Sequence, residues 1–294
     1  MLDEYDFALC LTHDVDRPYK TYQSLYYGLK EFDFYHIKSA FSKERPYWQF
    51  ENIMELEEEL GVRSTFYFLD EKNLFKDKSL KEWFKPKNWK LYTGRYDIQS
   101  DEIKNVIRKL DKGGWEVGLH GSHDSFDEFE RLKYEKEVLE DILGHEIHGI
   151  RQHYLNLKTP DTWENHSKVG LKYDTSLGSS TEIGFSNGYQ IKSPLDNDFA
   201  VFPLTIMETP LINNSKNLDA AWKKCKELLK EAKENNAVMT ILWHLRVFNE
   251  KEFTGYAKIY RKIIEKAKEM NGWVGPVRDA YEHIKNESKT LGGT

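Results

Sequence analysis

Short apolar runs rich in β-branched and aromatic residues alternate along this chain with longer stretches whose apolar residues fall three and four apart. Runs of the first kind predict buried strands and those of the second amphipathic helices; their alternation predicts a parallel sheet or barrel with helices outside. Strands are expected over residues 7–12, 64–69, 115–119, 149–153, 172–176, 201–206 and 238–243. Between them, Ile103, Val106, Ile107 and Leu110 mark a helix closed by Gly113-Gly114,. Leu218, Trp222, Cys225, Leu229 and Ala232 form the stripe of another helix,. Thr159-Pro160 reads as an N-cap followed by a first-turn proline, opening a helix that ends at Gly170,.

Two stretches break the alternation. Residues 17–50 hold Tyr19, Tyr22, Tyr26, Tyr27, Phe32, Phe34, Tyr35, Phe41, Tyr47, Trp48 and Phe50, more rings than a solvent loop needs, so something must cover them,. Residues 71–98 mix Trp83, Phe84, Trp89, Tyr92 and Tyr96 with seven lysines. That mixture suits an insertion over a barrel mouth, either a helical excursion with its lysines in water or a surface that stacks on substrate. No repeat or linker interrupts the pattern, and one domain over 1–294 is expected, with a cut near residue 210 as the alternative,.

Composition narrows the function classes. A chain of 294 residues buries a core large enough for an enzyme,. Its formal net charge of -6 gives no general attraction to nucleic acid, so none is expected as a partner,. Cys10 and Cys225 each sit within an apolar pattern and read as small core residues,. The acidic start, residues 1–6, has no signal-like core, and no apolar run reaches membrane-spanning length,. The expectation is a cytoplasmic protein without a membrane span.

Candidate chemistry collects where the strands end. Asp14 and Asp16 follow the first strand, and two crowded carboxylates favour a bound cation or a shared proton, against the plainer reading of a turn or helix cap,. His120 and His123 follow the third strand as imidazoles of the kind that zinc, cobalt, nickel or iron accept, with Asp124 beside them,. Arg151 and His153 end the fourth strand, and the guanidinium there could orient a carboxylate base or simply bridge two loops,. Asp174 ends the next strand, placed either to hold Arg151 or to cap a turn. His244 closes the last strand as a candidate general acid or a satisfied core histidine,. His13 also belongs to this set, making five of the ten histidines, whereas His36, His145, His148, His166 and His283 read as structural or solvent-facing.

The order of these motifs resembles the polysaccharide deacetylase (NodB-homology) family from about Phe7 to Ile284. Thr12-His13-Asp14-Val15-Asp16 is similar to the family's Thr-Phe-Asp-Asp-Gly, and residues 114–123 to its histidine pair after a Gly-x-Glu-Ile-Gly strand. Arg151-Gln152-His153-Tyr154 resembles its Arg-x-Pro-Tyr/Phe, and residues 240–244 its apolar strand ending in histidine. The resemblance implies a single-domain distorted (β/α)7-type barrel carrying one divalent metal ion, usually zinc, with cobalt, nickel or iron as other candidates. It implies Asp14 as general base, Asp16 as the metal carboxylate, His120 as a metal ligand, Arg151 with Asp174 as tuners of the base, and His244 as general acid. The second histidine ligand is His123 or His153: the family spaces its pair by three residues, this chain by two, and His153 stands where the family has proline. The implied activity is removal of an N-acetyl or N-formyl group from an amino sugar. An amidohydrolase of small linear or cyclic amides and a non-catalytic carbohydrate-binding relative are the alternatives.

Overall fold

Alternate residues of the first strand meet different surroundings, and that alternation generates the architecture. The computed structural model describes residues 4–20 and 45–291, and side chains as far as 285. In strand β1, Phe7–Val15, the odd-numbered Phe7, Leu9, Leu11 and Val15 join the large core between sheet and helices. Ala8 and Cys10 point the other way, into a smaller cluster with Tyr173, Phe202 and Val238. Residues from distant strands can meet there only because the sheet curls on itself.

The other strands are β2 (Thr65–Leu69), β3 (Glu116–Gly121), β4 (Gly149–Gln152), β5 (Tyr173–Asp174), β6 (Ala200–Val201), β7 (Leu204–Met207), β8 (Val238–Leu242) and β9 (Gly272–Gly275). Their order is β6-β5-β4-β3-β2-β1-β8-β7, every pairing is parallel, and β9 pairs with β1. Phe7 to Cys10 pair with β9 and Thr12 to Val15 with β2, so these two strands share one side of β1. The edge strands β6 and β7 are separated in sequence only by Phe202-Pro203, which brings the two edges together. The expected distorted barrel is the architecture observed.

The expected strand over 201–206 is therefore two strands on opposite edges. Pro203 has no N–H to give to a ladder, and the chain leaves one edge there and joins the other,. β9 was not expected, because four residues bounded by glycines carry too little pattern. The helices Asp101–Lys112 and Leu218–Glu234 follow their predicted stripes, and Asn217 caps the second by accepting from the Ala220 N–H at 2.9 Å,. The helix Asp161–Lys168 starts one residue later than predicted, with Pro160 at its N-cap and no capping by Thr159.

Residues 71–98 form the predicted excursion: a one-turn helix Leu74–Asp77, a 3-10 turn Leu80–Phe84 and a helix Pro86–Gly94. Of the aromatic stretch nearer the N-terminus, Tyr47 and Phe50 are buried, and Tyr19 lies 5.6 Å from the Trp48 ring. Tyr22, Tyr26, Tyr27, Phe32, Phe34, Tyr35 and Phe41, together with His36, lie outside the described residues.

Candidate active site

Strand register brings the candidate residues level. Thr12 is opposite Leu242, so Asp14 and His244 both lie two residues further toward the same barrel mouth. His120 is directly opposite Arg151. Parallel α/β folds place reactive groups at this end of their strands. A pocket of about 630 Å³ opens there, lined by Asp14, Asp16, Arg17, Lys90, His120, Gln152, His153, Tyr154, Leu155, Ser180, Met207, Thr209, His244 and Arg246. Its size is that of a small-molecule site. Tyr154 and Leu155 both hold left-handed backbone, at φ 59° and 56°, a strain that non-glycine residues carry mainly at functional sites,.

Asp14 is buried, and its Oδ1 accepts from Arg151 Nη1 at 3.0 Å. The same Nη1 donates to Thr12 Oγ1 at 2.7 Å, Nε donates to the Thr175 carbonyl at 3.2 Å, and the guanidinium lies 5.0 Å from the Tyr67 ring centroid. Burial opposes ionisation of Asp14, but Arg151 and then His120 outweigh it and hold the carboxyl below its ordinary range,. His120 Nδ1 donates to the Arg151 carbonyl at 2.8 Å, which leaves a lone pair on Nε2 in the neutral ring,. Burial pushes this histidine down to about 4, so it is neutral near pH 7,. Its Nε2 faces Asp14 Oδ2 across 3.8 Å.

His244 Nδ1 is 2.8 Å from Glu208 Oε1. Burial alone would lower the imidazole, but the Glu208 carboxylate holds it above its ordinary value. Glu208 was not among the expected residues. It immediately follows β7, at the same barrel mouth, and that position was the available signal.

The remaining expected residues divide. His153 lines the pocket with its ring 5.1 Å from that of His120, and its Nδ1 is 3.5 Å from Glu71 Oε2. His123 is absent from the pocket lining and is held by Asp124 Oδ1, 2.9 Å from its Nδ1. Asp16 lines the pocket between Arg246 at 3.4 Å and Arg17 at 3.9 Å; burial opposes its ionisation, but Arg246, His244 and Arg17 lower its pKa. Asp174 does not bond to Arg151; its carboxylate caps Ser176, accepting from the backbone N–H at 2.8 Å and from Oγ at 2.6 Å. His13 belongs to the opposite face of β1, where Nδ1 bonds the Trp243 carbonyl at 2.7 Å and Nε2 lies 3.0 Å from buried Glu57.

Among the described residues, no three histidine, cysteine, aspartate or glutamate side chains converge closely enough to hold a metal ion. A zinc site needs three or four such donors. Asp14 Oδ2 and His120 Nε2 lie 3.8 Å apart, Asp16 lies beside the Arg246 and Arg17 guanidinium groups, and the buried His153 Nδ1 is 3.5 Å from Glu71 without a hydrogen bond. An ion at this mouth would be held among Asp14, Asp16, His120 and His153, all of which line the pocket.

No family model matches this chain, and no curated protein matches it. Solved structures do. A provisionally named polysaccharide deacetylase from Mycobacterium smegmatis superposes with a TM-score of 0.64 at 15% identity, over 97% of this chain and 92% of that one. A similarly named protein from Pseudomonas aeruginosa PAO1 gives 0.64 at 12% identity, over 98% and 93%. Puue allantoinase gives 0.60 at 13% identity, over 95% and 90%. The fold is that of the polysaccharide deacetylase (NodB-homology) barrel.

Proposed function

We propose that this pocket hydrolyses the N-acyl bond of an acetylated or formylated amino sugar, with Asp14 as general base and His244 as general acid. The observation that carries the reading is the pairing of two groups with opposite proton preferences in one pocket: a carboxylate whose ionised form Arg151 favours and an imidazole whose protonated form Glu208 favours,. Between Asp14 Oδ2 and the His120 lone pair, two acceptors face each other, and a molecule with two donor hydrogens suits that gap,. Water bound there directs its own lone pairs into the pocket. Its oxygen attacks the amide carbon as Asp14 takes a proton; the C–N bond then breaks as His244 protonates the nitrogen, releasing acetate or formate and a free amine. Arg17 and Arg246 in the lining supply positive potential for the developing oxyanion,. The sugar part of the reading draws on the names of the two deacetylase-like structures.

A panel of N-acetyl and N-formyl amino sugars beside small cyclic amides tests it, with release of acid or ring opening as the readout. Asp14→Asn and His244→Ala should each lower kcat by on the order of 10²–10⁴. Turnover of cyclic amides alone would replace the sugar reading, a result the allantoinase likeness makes worth including. Full activity in His244→Ala would remove its role as acid.

A further inference from the structure

The excursion over residues 71–98 exposes side chains that a water-facing segment has no use for. Phe84 is 88% exposed and Leu80 67%. Phe75, 47% exposed, and Trp89, 42% exposed, belong to one aromatic cluster, with the Phe75 ring centroid 5.0 Å from Trp83 and 5.7 Å from Trp89. Four exposed large apolar side chains on one short segment mark an interaction site,. Around it the charge is one-sided: the segment has seven lysines and one arginine against four acidic residues, in a chain whose formal net charge is -6. Lys76, Lys81 and Lys87 are exposed, and none of them joins an ion pair among the described residues.

We propose that this face docks on an anionic lipid bilayer. The Trp83, Phe84 and Trp89 rings and Leu80 suit the boundary between headgroups and acyl chains, and the lysines suit anionic headgroups. A soluble sugar fits less well, because Leu80 offers no stacking face and the rings of the cluster are already engaged with one another in edge-on contacts,. A membrane-spanning helix is not involved, as none of the described helices is long and apolar enough. The face adjoins the pocket: Lys90, on the helix Pro86–Gly94, lines its mouth and lies 5.7 Å from the Tyr154 ring centroid. Docking here would bring the pocket mouth to the headgroup layer.

The test is co-sedimentation of the full chain with vesicles of phosphatidylcholine alone and of phosphatidylcholine with phosphatidylglycerol in equal parts. Binding should be confined to the anionic vesicles and weaken with added salt. It should fall on the order of tenfold in Leu80→Ser/Phe84→Ser and again in Lys76→Glu/Lys81→Glu/Lys87→Glu. All of these positions are exposed, and an unchanged thermal melt shows that the variants fold. No sedimentation with anionic vesicles, equal sedimentation with both kinds, or variants that bind like the parent would each overturn the proposal. So would capture of a soluble glycan, without vesicle binding, that the first variant loses. None of these readouts depends on turnover, so the docking face and the hydrolase reading fail separately.

Discussion

The proton affinities of Asp14 and His244 are moved in opposite directions because each is buried beside a group of opposite charge, Arg151 and Glu208. With His244 as the proposed acid, activity should fall as pH rises through its raised pKa. Glu208→Gln removes the carboxylate that raises it, so the alkaline limb of the kcat/KM profile should move to lower pH; an unmoved limb would mean that another group sets it. His153→Ala should lower kcat/KM by on the order of tenfold or more, whereas His123→Ala, outside the pocket, should leave it nearly unchanged. Steady-state kinetics on the two variants separates them. The strand-end rule singles out Asp14, His120, Arg151 and His244, and register carries all four toward one mouth. It misassigned His13, although period-2 alternation already sets His13 on the opposite face from Thr12 and Asp14. Glu208 had only its position after a short strand to mark it, a weak signal until His244 is known to face it.

Elements transmit strain to these residues as well as positioning them. Gly118 lies within β3, and a Cβ built there would come within 2.6 Å of the Tyr67 ring and 3.0 Å of the Gly149 carbonyl. The Tyr67 ring in turn supports the Arg151 guanidinium. Gly118→Ala should therefore cost about 1–3 kcal/mol of stability and lower turnover through Arg151; calorimetry with kinetics checks both. Long amphipathic elements such as Leu218–Glu234 could be read from sequence because three-four spacing persists over several turns. The pair β6 and β7 could not, since their residues form one apolar run and only the closure of the sheet shows that Pro203 divides it.

For the molecule as a whole, fold and chemistry separate. The barrel is shared with proteins of 12% and 15% identity, while among the described residues no three donor side chains converge as a group. Exhaustive chelation followed by zinc reloading tests for an ion at this mouth: turnover and melting temperature unchanged throughout would exclude a required one. Loss of activity restored by zinc would instead place an ion among Asp14, Asp16, His120 and His153. The architecture was legible from the strand and helix alternation, whereas which candidate donors meet at the mouth depends on side-chain convergence that spacing does not report. β1 has a last consequence, for biosynthesis. Its lower half, Phe7 to Cys10, pairs with Gly272–Gly275, more than 260 positions later. On the ribosome β1 waits for β9 to emerge, so the nascent chain carries an open, strongly apolar edge while more than 260 further residues are made, the situation in which chaperone engagement and aggregation compete,.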